Sequence, residues 1–494
     1  MKTENIMIDY SDFSECGSVI SHFAKITAIP RGSGNTAPIA DYLVGFAKER
    51  GLECYRDEAD NVVIKKPATP SMVGRPAVIF QGHTDIVAEK LTECDIDMST
   101  EGPRLMRDGD FLCADGTTLG ADDGVALAYA LALLDSDDIE HPDFEAVFTS
   151  DEEVGLLGAT ALDASVLRGR LMINIDSDAE GIFTVGCAGG VRCDLSLPVK
   201  RVAAERKAYR IRLHGLQGGH SGIEIDKNRA NAIKVMAEML NTLSDISIAE
   251  LVGGNADNAI PRECEAVVCA DADFPEKLRE AFERRRSLPA ETRDFKEENA
   301  PTLTEAEPSV SLDISETEAP ALMLDAESTE KLLSILATLP SGVIAMSREL
   351  AGLVETSLNL GILRLESDAA EISFSVRSAV GEEKKKLCAR LSGIAKDFGA
   401  GYSERGSYPA WEYRKESHLR DVMCRVYGDL YGKAPEVVTI HAGLECGIFA
   451  GKMEGLDCIS IGPDNFDIHT PKERLSLTSL ARVWEFLKEV LKNI

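Results

Sequence analysis

A series of short apolar runs, each closed by residues able to bind cations or move protons, constrains this chain more than any other feature. Residues 77–80, 146–149 and 171–175 are brief, rich in β-branched or aromatic side chains, and followed at once by polar residues. Helix-like segments separate them as far as about residue 186, the alternation of an α/β sheet with helices on its faces. The polar residues then fall at strand C-terminal ends, where open α/β sheets place ligands. After Gly189-Gly190 the texture changes. Residues 209–214 alternate in character, 228–243 read as a helix and 372–376 as a strand, which predicts an α+β domain. From about residue 401 the first texture returns, with a strand at 458–461 and an amphipathic helix at 475–491. At 494 residues the chain exceeds what one core usually accommodates. The expectation is a discontinuous α/β domain from 1–186 and 401–494, interrupted by an α+β domain over 187–400.

Charge excludes some partners. Lys plus Arg number 53 against 83 Asp plus Glu, a formal net charge of −30, which repels nucleic-acid phosphates and anionic lipid surfaces. Local carboxylate clusters suit divalent cations instead. Residues 1–21 carry acidic groups and no apolar core of a secretory signal. The apolar stretch 125–134 is far shorter than the roughly 20 residues that cross a bilayer. The 12 cysteines form no C-x-x-C pair and read as buried thiols in a reducing compartment. A soluble, cytoplasmic protein is expected. The charged, Pro-containing region 271–330 reads as a solvated helix plus a long surface excursion, without chemistry of its own. No repeat at solenoid periods is present.

Five positions stand out. In Gln81-Gly82-His83-Thr84-Asp85, side chains two apart on extended backbone share a side, so His83 and Asp85 can cooperate; a metal-bound imidazole commonly donates its other N–H to such an oxygen. A strand-end His with a turn Asp is the plain alternative. Asp122 and Asp123 precede the apolar helix 125–134, where either serves as an N-cap or a carboxylate bridges two cations. Asp151-Glu152-Glu153 follows a strand and opens a helix. Acidic residues there meet the helix dipole, yet adjacent glutamates can also divide labour, one on metal and one on a proton. Asp176 ends its strand in the same way. His469 lies in the prolyl loop Gly462-Pro463-Asp464-Asn465-Phe466-Asp467-Ile468-His469-Thr470-Pro471, with His441 in Thr439-Ile440-His441-Ala442-Gly443 as its rival. Each has a structural explanation alone. Together they gather imidazole and carboxylate groups behind several strands of one sheet, a mixed set that favours zinc while manganese and cobalt accept the same donors.

In this order the motifs resemble the dinuclear zinc exopeptidases, and within them the bacterial aminoacyl-histidine (Xaa-His) dipeptidases. Gly82-His83-Thr84-Asp85, Gly120-Ala121-Asp122-Asp123, Thr149-Ser150-Asp151-Glu152-Glu153, Asn174-Ile175-Asp176 and Asp467-Ile468-His469-Thr470-Pro471 carry the resemblance. Gly186-Cys187-Ala188-Gly189-Gly190, Gly218-Gly219-His220-Ser221-Gly222, Asn258-Ala259-Ile260-Pro261-Arg262 and His441-Ala442-Gly443-Leu444-Glu445-Cys446-Gly447 are similar to the dipeptidase branch, and coverage is essentially the whole chain. The resemblance implies a catalytic domain with a mixed sheet flanked by helices and an inserted lid. It implies one metal on His83 and Asp176, a second on Glu153 and His469, and Asp122 as the bridge. It further implies that Asp85 orients His83, that Glu152 is the general base for a water activated by the metals, and that His220 stabilises charge on the scissile carbonyl, sometimes from the partner subunit of a dimer. Arg377 resembles a residue for the substrate carboxylate, with Asn258 and Arg262 in the same cleft. Asp123 departs from close relatives, which carry Asn, and Gly124 from other exopeptidases, which carry Lys; Asp122 is the better bridge. The small peptide substrate is the expected partner, with a homodimer through the lid. Two rival readings are hydrolysis of another amide, such as a tripeptide or N-acyl amino acid, and a non-catalytic oligomeric binding protein on the same fold.

Overall fold

The computed structural model describes residues 16–290, 300–350 and 352–494. Residues 1–15, most of the acidic 1–21 segment, and 291–299 of the charged region lie outside them. The described chain divides into two compact units. One comprises Met1–Gly186, Tyr413–Thr439 and Leu444–Ile494; the other comprises Cys187–Glu412 and Ile440–Gly443.

The first unit is built on an eight-stranded sheet of β1 (Glu53–Arg56), β2 (Val62–Lys66), β3 (Val78–His83), β4 (Phe144–Thr149), β5 (Leu171–Asn174), β6 (Ile182–Cys187), β7 (Glu436–Ile440) and β8 (Asp457–Ser460), in spatial order β1-β2-β4-β3-β5-β8-β6-β7. The central strands β4, β3, β5 and β8 run parallel, while β1 and β2 pair antiparallel to their neighbours and β6 pairs antiparallel to β8. The four central strands are buried throughout, which is why they read as continuous apolar runs rather than alternating ones. Parallel direction has a functional consequence: the residues after β3, β4, β5 and β8 emerge at one edge of the sheet. The helix Ala121–Asp135 is apolar on almost every side and buried, as a core helix must be. Its Tyr129 stacks on Trp484, with ring centroids 5.7 Å apart, and donates to the Leu480 carbonyl at 2.8 Å. This ties it to the final helix, Leu477–Asn493.

The second unit holds an antiparallel sheet in which two arrays share one topology. Lys207–His214, Ser247–Gly253, Cys264–Ala270 and Ser311–Thr317, with helices Ala232–Leu240 and Phe274–Arg286, form a βαββαβ array. Gly189–Pro198, Val354–Leu365, Ala369–Ser378 and Gly401–Tyr408, with helices Ala326–Thr338 and Gly381–Asp397, form another. Each places its strands in the order fourth, first, third, second, and the two second strands meet at Val252↔Arg364 and Gly253↔Leu363.

Two expectations are corrected here. The chain re-enters the first unit at residue 413 rather than 401, because Gly401–Tyr408 pairs with Gly189–Pro198 as a sheet edge. Part of the 271–330 region is likewise a strand: Ser311–Thr317 pairs along its length with Lys207–His214, its mostly exposed polar residues being those of an edge. Among the described residues no helix is long and apolar enough to cross a membrane.

Candidate metal and catalytic site

His83 is the last residue of β3, and the close approach of that strand to the core helix depends on Gly82. A Cβ there would lie 2.2 Å from both the Ala126 Cβ and an Asp123 oxygen. His83 Nδ1 faces the Asp85 carbonyl at 3.0 Å, so the ring donates through Nδ1 and turns Nε2 towards the carboxylates. Nε2 lies 3.0 Å from Asp122 Oδ1 and 3.6 Å from Asp176 Oδ1. The other Asp122 oxygen, Oδ2, lies 3.0 Å from His469 Nε2, which is also 3.0 Å from Glu153 Oε1. Asp122 thus stands between two groups, His83 with Asp176 and His469 with Glu153.

Asp123 is occupied elsewhere. It approaches His83 closely enough to share a ligand-like cluster with Asp176, but its oxygens accept the His83 and Ala126 amides at 3.2 and 3.3 Å. Asp122 is the carboxylate with both oxygens turned to histidines. His441 belongs to the second unit, its Nε2 2.7 Å from Ser357 Oγ, and is not part of this cluster.

Asp85 works on backbone as well as on imidazole. Its Oδ1 accepts the Glu152 amide at 2.9 Å; its Oδ2 accepts the Glu153 amide at 3.3 Å and the Ser33 hydroxyl at 2.7 Å. The carboxylate stands 3.5 Å from His83 Nδ1, farther than its own carbonyl. It therefore fixes the turn carrying both glutamates.

The electrostatics follow from burial and crowding. Burial opposes charge on His83, but Asp122, Asp176 and Asp85 outweigh it and hold the imidazole well above its ordinary value. Hydrogen bonds with Asp122 and Glu153 push His469 up to about 10. Asp122, despite burial, is held low by His469 and His83. Burial, reinforced by Asp122 and Glu153, pushes Asp176 up to about 6. Burial, with Asp176, Glu445 and Glu153 adding, raises Glu152 well above the carboxylate range although His83 opposes it. Three carboxylates and two imidazoles converge, and buried Glu153 Oε1 has the His469 imidazole 3.0 Å away. This set fits a pair of divalent cations.

Several supporting residues escaped the sequence reading. Glu473 is buried and accepts the amides of Leu119, Gly120, Ala121 and Asp122 at 2.7–3.2 Å. Buried Arg31 donates to the Thr84 and Gly120 carbonyls at 2.9 and 2.6 Å; burial lowers its guanidinium to about 10 against the pull of Glu473, Asp85, Asp123 and Asp122. The available signals were an acid four residues past His469 and the polar turn Arg31-Gly32-Ser33-Gly34.

In the second unit, His220 Nδ1 accepts the Gly222 and Ile223 amides, both at 3.2 Å. This leaves its proton on Nε2, which can donate. Burial and nearby Arg377 keep its pKa below the ordinary value, so it stays neutral. His220, Asn258 and Arg262 line one cavity of about 630 Å³. Arg377 is outside that lining; it donates to the Tyr408 hydroxyl at 3.1 Å, and its charge, after burial, helps hold His441 down at about 3.

Comparison with known proteins agrees in extent. The chain is 35% identical over 477 residues to the cytosol non-specific dipeptidase of Escherichia coli (strain K12), covering 96% of each. The aminoacylhistidine dipeptidase structure from Vibrio alginolyticus superposes with a TM-score of 0.90 at 32% identity, over 98% of both chains. Aminopeptidase PepT from Bacillus cereus shares the fold, with a TM-score of 0.55 and 17% identity over 96% of this chain and 98% of its own. Residues 79–493, which include every position of the cluster around Asp122, match the model of peptidase family M20/M25/M40, and the chain belongs to that family.

Proposed function

We propose that this protein is a dinuclear metal-dependent dipeptidase, acting on unblocked dipeptides with Xaa-His among them, and that zinc is its metal. The observation that carries the reading is Asp122, whose two oxygens each stand 3.0 Å from a different histidine. His83 and Asp176 would hold one cation, Glu153 and His469 the other, and Asp122 both. When bound, the pair supplies Lewis acidity, activating water and polarising the scissile carbonyl. The rest belongs to the protein. Glu152, held by Asp85 through its amide, takes the proton of the attacking water and returns it to the departing amine. His220, neutral with its proton on Nε2, offers a hydrogen bond to the carbonyl oxygen as charge develops there. Arg377 takes the substrate carboxylate, with Asn258 and Arg262 beside His220.

The names of the two similar dipeptidases, one non-specific and one aminoacylhistidine, support a dipeptide substrate and an Xaa-His member of the range. A cytoplasmic location agrees with the first name, and a homodimer through the second unit is the proposed assembly. The test is release of free amino acids from a panel of dipeptides, tripeptides and N-acyl amino acids by the zinc-loaded protein, with and without Glu152→Ala. Dipeptide cleavage lost in the variant supports the reading. A preference for tripeptides or N-acyl substrates, or unchanged turnover in the variant, contradicts it.

A further inference from the structure

Behind the metal-site residues lies a belt of side chains for which the proposed chemistry has no use. Asn174 Nδ2 donates to Gln81 Oε1 at 2.7 Å. Gln81 Nε2 donates to Glu445 Oε2 at 2.6 Å and to Thr149 Oγ1 at 3.2 Å. The Thr149 hydroxyl donates to the same Glu445 oxygen at 2.6 Å. All four residues are buried. They come from β5, β3, β4 and the start of the helix Glu445–Lys452.

Register relates this belt to the site. Parallel pairing sets His83 beside Thr149 and Gln81 beside Asn174. Side chains two apart on a strand share a face, so Gln81 lies one step behind His83 on the same face. Asp176 is two residues beyond Asn174, and Glu152-Glu153 follow Thr149 in the next turn of chain. Every strand end that delivers a cation-holding carboxylate or imidazole from β3, β4 or β5 is therefore joined to the belt.

Glu445 is the belt's charged member, and the hydrogen bonds run towards it. Its Oε1 is buried without a hydrogen-bond partner among the described residues. A carboxylate is costly to bury for packing alone, and an amide or aliphatic side chain would fill the same space more cheaply. We infer that Glu445 is a positioning residue for the peptidase reaction: by accepting from Gln81 and Thr149 it holds the ends of β3, β4 and β5 in one register and so sets the spacing of His83, Asp176 and the Glu152-Glu153 turn. The inference rests on the reading of those residues as the metal site. Losing the acceptor leaves the two buried donors only their longer bonds, Gln81 Nε2 to Thr149 Oγ1 at 3.2 Å and the Thr149 hydroxyl to the Gly82 carbonyl at 3.3 Å, and lets the strand ends drift. Partners of this kind are worth about 10–100-fold in metal affinity or activity.

The experiment compares wild type, Glu445→Ala, Glu445→Gln and Thr149→Val as full-length chains. Zinc affinity of the stripped proteins is read by competition with a chromophoric chelator, kcat and KM by dipeptide hydrolysis at saturating zinc, and folding by circular dichroism. Glu445→Ala is expected to bind zinc about 10–100-fold more weakly and to lose kcat with KM within about twofold. Glu445→Gln, whose amide oxygen can accept both hydrogen bonds, is expected to recover most of both. Should Glu445→Ala not fold, Thr149→Val removes one bond into the carboxylate and is expected to show the same losses to a smaller degree. A folded Glu445→Ala or Thr149→Val with wild-type affinity and kcat overturns the inference, as does a Gln variant no better than Ala. Wild type that takes up no zinc or cleaves no dipeptide refutes the underlying metallopeptidase reading instead.

Discussion

Glu473 accepts the backbone N–H of Asp122 at 3.2 Å, together with those of the three residues before it. The loop that carries His469 thereby holds the loop that carries the central carboxylate, across some 350 residues of sequence. Glu473→Ala would strand three buried donors and the part-buried Asp122 amide, a buried one costing about 1–3 kcal/mol when unsatisfied. The expected result is a loss of at least about 2 kcal/mol in urea unfolding of the metal-free protein, accompanied by weaker zinc binding. An unchanged unfolding midpoint would show that the loop does not depend on this carboxylate.

Glu152→Gln keeps the shape of the side chain and removes its ability to take a proton. Because Asp85 holds residue 152 through its backbone amide, the turn and Glu153 should stay in place. The variant is expected to bind zinc as wild type does while kcat falls about 10²–10⁴-fold. Steady-state kinetics beside a metal-content measurement decide this, and a parallel loss of zinc would assign Glu152 to metal binding instead.

Asp85→Ala removes the acceptor for the Glu152 and Glu153 amides and for Ser33. His83 keeps its bond to the Asp85 carbonyl, so metal binding should survive better than turnover. A kcat reduced about 10–100-fold, with a smaller change in zinc affinity, is expected. Equal losses in both would place the main role of Asp85 on the imidazole.

Cation binding should release protons. In the metal-free protein His469 is raised to about 10 and His83 well above its ordinary value, so both imidazoles are protonated at neutral pH. A cation needs their lone pairs and must expel those protons. Zinc affinity is therefore expected to increase as pH rises towards about 10 and to weaken as it falls. Calorimetry at pH 7 in two buffers of different ionisation enthalpy should report roughly one to two protons released. Heats independent of the buffer would contradict the assignment.

Much of this arrangement was legible before any coordinates, for a physical reason. Strands buried on both faces announce themselves as apolar runs, and the residues that break those runs, His83, Glu152, Glu153 and Asp176, are the ones the parallel sheet gathers at one edge. What remained hidden depends on distance through space. Glu473 looks like any loop acid until its four amide partners are seen, and Arg31 like a surface arginine until its burial is known. Gln81, Thr149 and Glu445 carry no sign of their mutual hydrogen bonds. The end of the insertion was misplaced because Gly401–Tyr408 is an exposed edge strand, whose polar composition resembles a linker more than a sheet. The doubling of the second unit was invisible for a different reason: it lies in strand order, and one array is threaded between the first strand and first helix of the other.

The central claim is that Asp122 joins two cations into one hydrolytic site. Its most direct test is dipeptide hydrolysis followed while zinc is titrated into stripped wild-type protein and into Asp122→Ala. Wild type should reach full activity near two zinc ions per chain, and the variant should stay inactive while losing tight binding of both. Full activity at one equivalent of metal, or turnover that survives in Asp122→Ala, would contradict the account.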